Sequence, residues 1–251
     1  MRNIRLLIAY DGAGFHGWQI QPDKPTIQGE IEKRLAAIHN GHITLHGAGR
    51  TDAGVHSRGM VAHFNAHKLI GPSVYLNSLN SMLPASIRIL EATEESLSFH
   101  SRFSAKGKTY SYSIFNGTIQ MPHERYYSHH IRTPLDFDSI NECLSIIQGT
   151  HDFACFETSG SRDLSLTNGK GSIRTISEAI LVNPNPFFYE ISITGDGFLR
   201  HMVRNIVGTI LEVGLNRRTI ENFRETLLSK KRTKAGTTAP AHGLTLIKIF
   251  Y

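Results

Sequence analysis

Arg50 and Asp52 stand two positions apart in a segment with almost no side-chain bulk, Gly47-Ala48-Gly49-Arg50-Thr51-Asp52-Ala53-Gly54-Val55-His56. Glycine permits unusual backbone angles and the close approach of a partner. A carboxylate on such a loop can serve as a nucleophile or stabilise developing charge. A Gly-rich turn with a surface ion pair would use the same residue types. Asp52 is the only carboxylate of the loop and is therefore the candidate nucleophile. That role requires ionisation in a partly closed pocket, where burial raises a carboxyl pKa and a guanidinium lowers it. Arg50 and Arg204 are the candidate partners. Arg204 lies near Met202 on an apolar helix, where an unpaired charge is expensive. The sequence leaves the choice between them open.

The elements that must hold this loop can be read from periodicity. Ile43 and Leu45 before it, and Met60 to Phe64 after it, predict flanking strands. Asn3 to Tyr10 alternates, with Ile4, Leu6 and Ile8 on one face. Pro25-Thr26 opens a helix with Ile27, Ile31, Leu35 and Ile38 inward, Thr26 as N-cap and Asn40-Gly41 as the stop. Ser73 to Leu83 reads as a second helix and Ile87 to Leu90 as a short strand. Strand, helix, strand, strand, helix, strand predicts an α+β layer with helices on one face of a sheet. The second half repeats the alphabet. Lys108 to Asn116 is a strand with Tyr110, Tyr112 and Ile114 on one face, and Asp136 to Gln148 is a helix. Thr158 to Ser172 is a Ser/Gly/Thr-rich loop, expected to be mobile. Ile173 to Val182 and Phe188 to Thr194 are strands, Phe198 to Gly214 and Thr219 to Leu228 helices, and Leu244 to Tyr251 a closing strand. A boundary near residue 104 divides the chain into halves 1–104 and 105–251. Trp18, the single tryptophan, reads equally as a core anchor or an RNA contact.

The 251 residues suffice for one large or two modest domains. The net charge is +6, and 14 histidines can add to it at lower pH. That balance favours a polyanionic partner such as nucleic acid over a merely solvated surface. Arg58, Arg102, Lys106 and Lys108 are candidate phosphate contacts. The apolar runs are shorter than the ~20 residues of a membrane span. Met1-Arg2-Asn3-Ile4-Arg5 leads straight into a strand pattern, so a cytoplasmic protein without membrane association is expected. Cys143 and Cys155 fit no metal spacing, and the histidines lack the spacing zinc demands. Gly47-Ala48-Gly49 is not a dinucleotide loop, because Asp52 stands where its third glycine belongs and would repel a pyrophosphate. Asn168-Gly169-Lys170-Gly171-Ser172 lacks the leading glycine of a phosphate loop. Neither a metal nor a cofactor is expected.

Gly49 to His56 resembles the central motif of the tRNA pseudouridine synthases of the TruA type. Tyr10-Asp11-Gly12, Gly17-Trp18-Gln19, Phe99-His100-Ser101-Arg102-Phe103, Lys108-Thr109-Tyr110, Phe198 with His201-Met202-Val203-Arg204-Asn205, and Gly243-Leu244 fit the same family, in its order and over nearly the whole chain. The resemblance implies two tandem ferredoxin-like (RNA-recognition-like) halves with joined antiparallel sheets and an active cleft between them. It implies a homodimer acting on the anticodon stem-loop of tRNA, at positions 38 to 40, with Asp52 catalytic and an arginine paired to it. Tyr110 would stack on the target base and manage the C5 proton, and Leu244 would pack on the other side. Arg200, Ser101 and His242 depart from the usual pattern. The residues alone reach only a basic α+β protein with a carboxylate-bearing loop. A non-catalytic RNA-binding protein or a small-molecule nucleoside hydrolase are the rival readings.

Overall fold

The computed structural model describes residues 1–158 and 171–251. The core of the loop expected between Thr158 and Ser172 therefore lies outside the described residues. The chain divides into two compact units, Met1–Lys106 with Thr245–Tyr251, and Gly107–Leu244.

The first unit begins with β1 (Arg2–Tyr10), whose alternation buries Ile4, Leu6, Ile8 and Tyr10. Helix α1 (Ile27–His39) starts where Thr26 Oγ1 accepts from the Gly29 amide and ends at Asn40 in the left-handed region. These are the start and stop signals its sequence carries. Ile27, Ile31 and Leu35 are buried on its inward face, while Ile38, expected beside them, is half-buried. Then follow β2 (His46–Gly47), β3 (His56–Ala66), α2 (Pro72–Met82) and β4 (Ile87–Glu95). The strands run β4-β1-β3 with β2 on the far side of β3, all antiparallel, which is the ferredoxin-like order. Strand β2 is shorter than expected: Ile43 and Leu45 are buried but lie outside it. Strand β4 is longer than Ile87 to Leu90. Its extension, Glu91 to Glu95, is an edge segment with partly exposed polar residues, so an apolar alternation could not reveal it.

The second unit contains β5 (Gly107–Phe115), β6 (His129–His130), α3 (Phe137–Ile147), β7 (Gly149–Asp152), β8 (Ile173–Asn185), β9 (Phe188–Gly195), α4 (Met202–Gly214) and α5 (Ile220–Ser229). The order β5-β9-β8-β7 is antiparallel, and β6 adds to β5 in parallel. Asp136 and Thr219 cap α3 and α5 through their side-chain oxygens. Helix α4 begins four residues later than its apolar period suggests. His201 takes φ +61°, and Met202 N closes a turn onto Leu199 O, so Phe198 to His201 form a bend. Helix α4 is the centre of this unit's core, with Met202, Ile206 and Ile210 fully buried.

The last strand, β10 (Leu244–Phe250), pairs in parallel with β3 through Thr245–His56 and Leu246–Ser57. Gly59 makes room for it, since a β-carbon there would lie 2.2 Å from Ile247 O.

Candidate active site

The Asp52 loop leaves β2 and enters β3. Its conformation is held by two segments that are distant in sequence. The first is the end of β1. Tyr10 is buried, and its hydroxyl lies 2.8 Å from Thr51 Oγ1, the residue before Asp52. A β-carbon on Gly12 would sit 2.1 Å from Val55 O, so only glycine lets this turn meet the loop backbone. The Gly12 amide donates to His56 Nδ1 at 3.1 Å. Asp11 Oδ1 lies 3.2 Å from the same nitrogen and also accepts from the Ala13 amide at 2.9 Å. His56 Nδ1 serves one of these at a time: it accepts from Gly12 in the Nε2–H tautomer and donates to Asp11 when Nδ1 carries the proton.

The second segment is Gly17-Trp18. Gly17 adopts φ +88°, and a β-carbon on it would meet Thr51 O at 2.5 Å. Trp18 N donates to Thr51 O at 3.1 Å, while Gly17 O and Trp18 O accept from Ile27 and Gln28 in the first turn of α1. The Trp18 ring lies under Gly47, whose added β-carbon would be 2.6 Å from the indole nitrogen, and 6.1 Å from the Tyr10 ring. With 2% exposure, Trp18 is the core anchor of the two readings. Tyr10–Gly12, Gly17–Trp18 and the Asp52 loop are thus one scaffold, which fixes the backbone on both sides of Asp52.

Asp52 itself is half-buried, and its carbonyl accepts from Val55 N at 3.2 Å, closing the turn. Arg50 is exposed, and its Nε donates to Gln19 Oε1 at 3.1 Å. Arg58 is exposed on β3, and Arg102 is exposed in the segment after β4. Asp52, Arg50, Arg58 and Arg102 belong to the first unit; Tyr110, Arg204 and Leu244 belong to the second.

In the second unit Tyr110 lies on β5 opposite Ile193, 9% exposed, with the Phe198 ring edge-on at 5.2 Å. Tyr112 is fully buried and donates to Pro240 O at 3.0 Å, and burial pushes its phenol well above the usual range. It is a core residue, and Gly243 rests on its ring: a β-carbon there would come within 2.7 Å of Cζ. That contact sets the chain direction just before Leu244, which is 5% exposed. Arg204, in the first turn of α4, donates Nε to Ala239 O at 2.8 Å, and Ala239 N returns a bond to Arg204 O at 3.1 Å. Asn205 holds the same segment, its Oδ1 accepting from Thr238 Oγ1 at 2.6 Å and Arg232 Nη2 at 3.2 Å. The guanidinium expected to need a carboxylate therefore has at least one main-chain acceptor. Cys143 and Cys155 are free and buried, and burial pushes each thiol up to about 12. Among the described residues no three His, Cys, Asp or Glu side chains could hold a metal, and no helix is long and apolar enough to cross a membrane.

Tyr10, Thr51 and His56 lie within quoted motifs, yet their sequence positions could not reveal what they do. Tyr10 and Thr51 are 41 residues apart, and only the folded sheet brings them together.

A family model described as tRNA pseudouridine synthase matches residues 6–104 and 145–251 of the chain. Among curated proteins, tRNA pseudouridine synthase A 1 of Desulfotalea psychrophila is 51% identical over 251 residues, covering 100% of both chains. tRNA pseudouridine synthase A 2 of Clostridium tetani is 43% identical over 252 residues, covering 100% of this chain and 99% of its own. tRNA pseudouridine synthase A of Acetivibrio thermocellus is 41% identical, again over 100% of both. The chain therefore belongs to the tRNA pseudouridine synthase family, a class of isomerases. The reaction of that family isomerises uridine in tRNA to pseudouridine.

Proposed function

We propose that this chain converts uridine to pseudouridine at positions 38 to 40 of the tRNA anticodon stem-loop, with Asp52 as the nucleophile. The reaction breaks the bond from uracil N1 to the ribose and rejoins the ribose to uracil C5, which then gives up its proton. Atoms and electrons balance without a redox partner. The target base must leave its stack, at a cost of about a few kcal/mol. Gripping phosphates on either side offsets that cost, and Arg58 and Arg102, both exposed, are suited to it. The observation that carries the assignment is the bracing of the loop: Tyr10, Gly12 and Gly17 all converge on Thr51 to Val55, around a half-buried carboxylate. A surface turn would not require three separate close approaches to position one aspartate.

The remaining roles follow from side-chain chemistry and the family relationship. Tyr110 stacks on the base and takes the C5 proton, because a phenol joins a flat ring to a titratable oxygen. Leu244 packs on the opposite side. Arg204 or Arg50 supplies the guanidinium that keeps Asp52 ionised. The active enzyme is a cytoplasmic homodimer. The test is to incubate purified protein with transcribed tRNAs carrying uridine at 38, 39 or 40 singly and to map pseudouridine by mass. Modification at these sites supports the reading. Pseudouridine confined to another part of tRNA would overturn the site assignment.

A further inference from the structure

Phe103 is 77% exposed, but the surface behind it is a built layer of rings. Its ring lies 4.3 Å from that of His100, which meets His63 edge-on at 4.6 Å and His46 at 5.7 Å. His46 and His63 stack at 5.1 Å across the β2–β3 pair. His46 immediately precedes Gly47, so this layer stands at the base of the Asp52 loop.

The segment carrying Phe103 is clamped. Ser101 has no exposed surface; its Oγ donates to His46 O at 2.6 Å, its amide donates to His63 Nδ1 at 3.2 Å, and its carbonyl accepts from Tyr251 at 2.6 Å. Asn3 Nδ2 holds Ser96 O and Phe99 O, each at 2.9 Å. The amides of Arg102 and Phe103 point at His100 Nδ1, at 3.1 and 3.4 Å. That nitrogen is therefore an acceptor and the imidazole neutral, an apolar support rather than a charge. Arg102 is exposed, with its guanidinium 5.9 Å from the Phe103 ring, and Lys106 is exposed three residues on. A rigid, exposed aromatic with a cation beside it is the arrangement that binds unpaired nucleic acid: the ring stacks on a base while the guanidinium meets a phosphate.

We propose that Phe103 is a stacking platform for an unpaired base of the bound tRNA, preorganised by the His46–His63–His100 layer. The proposal rests on tRNA being the substrate. Another protein surface would be a poorer occupant, since burying Phe103 there would also desolvate Arg102.

The experiment measures tRNA affinity at several salt concentrations, with sedimentation to record oligomeric state. Phe103→Ala should raise the dissociation constant by about 5- to 150-fold, the range expected for one lost base stack. It should leave the log–log salt slope unchanged, because a stack releases no counterions. Phe103→Trp should bind within about twofold of the unaltered protein, and Arg102→Ala should lower the slope by about one. An affinity for Phe103→Ala within twofold of the unaltered protein would overturn the proposal. So would a fall in molecular mass with that substitution, which would make Phe103 a contact between copies of the chain. If the unaltered protein failed to bind tRNA, the substrate assignment would fall with it, independently of Phe103.

Discussion

The hydroxyl of Tyr10 and Oγ1 of Thr51 lie 2.8 Å apart in a buried contact between the end of β1 and the residue preceding Asp52. The bond joins the sheet to the Asp52 loop through the residue beside the carboxylate. Tyr10→Phe removes it and leaves the Thr51 hydroxyl a partner short in a buried place, at a cost of about 1 kcal/mol. For a chain of this size that is a fall of roughly 2–4 °C in Tm. Turnover should drop by more than this stability loss suggests, by up to about 10²-fold, because the loop that aims Asp52 is loosened. tRNA affinity should stay near that of the unaltered protein. Thermal melting and single-turnover kinetics on one preparation check both.

The histidine layer gives stability an acid limb. His63 is held down to about 4, first by burial and then by the neighbouring His100 and His46. In the unfolded chain it would titrate near 6.5. Between those values the unfolded state binds a proton that the folded state refuses, so stability falls as pH drops from about 6.5 toward 4. Above 6.5 both states are neutral and the contribution is constant. The loss is on the order of 2 kcal/mol at the bottom of the window. His129 in the second unit is also lowered to about 4 by burial, so replacing His63 removes only part of the limb. Urea midpoints at pH 7 and pH 4.5 should differ less for His63→Gln than for the unaltered protein. Equal pH dependence would show that His63 is not so buried.

Arg58 projects from β3 into solvent. If it meets a phosphate, Arg58→Ala should lower the slope of log affinity against log salt by about one. It should weaken all tRNAs alike, since phosphates carry no sequence information. The single-turnover rate at saturation should remain close to that of the unaltered protein. A collapse of that rate would move Arg58 into the catalytic group.

Much of this was legible in the sequence where one segment decides its own structure. Helix α1 carries its cap at Thr26, its face at Ile27, Ile31 and Leu35, and its stop at Asn40, and these act as read, with only Ile38 at the end of that face half-buried. Asp136 and Thr219 are equally local signals. The reading weakened where partners are remote. Strand β7, Gly149–Asp152, has too few residues to show a period and exists because β8 pairs with it. Helix α4 begins at Met202 because His201 turns left-handed, while Phe198 continues the apolar spacing without being helical. Asp52 stood out by being the one carboxylate among glycines. Its scaffold did not, because a glycine's reason for being there is visible only with the backbone it touches: Gly12 against Val55, Gly17 against Thr51.

Tyr110 packs against Phe198 whether or not its hydroxyl is present. Tyr110→Phe should therefore keep tRNA affinity while removing the oxygen proposed to take the C5 proton. Release of tritium from C5-labelled tRNA should fall by about 10²- to 10⁴-fold. An unchanged rate would reduce Tyr110 to a stacking surface.

In the proposed reaction the braced loop presents Asp52 to the target uridine. Asp52→Asn keeps the size and shape of the side chain and leaves the Tyr10–Thr51 bond and the Gly12 and Gly17 approaches in place, since these meet the Thr51 hydroxyl and the loop backbone. The amide cannot act as a nucleophile. The most direct measurement is pseudouridine formation by this variant under single-turnover conditions, beside its tRNA dissociation constant. The variant should keep an affinity within about twofold of the unaltered protein and lose rate by on the order of 10⁴-fold or more. A rate within about tenfold of the unaltered protein, at equal tRNA saturation, would contradict that role for Asp52 and place the nucleophile elsewhere.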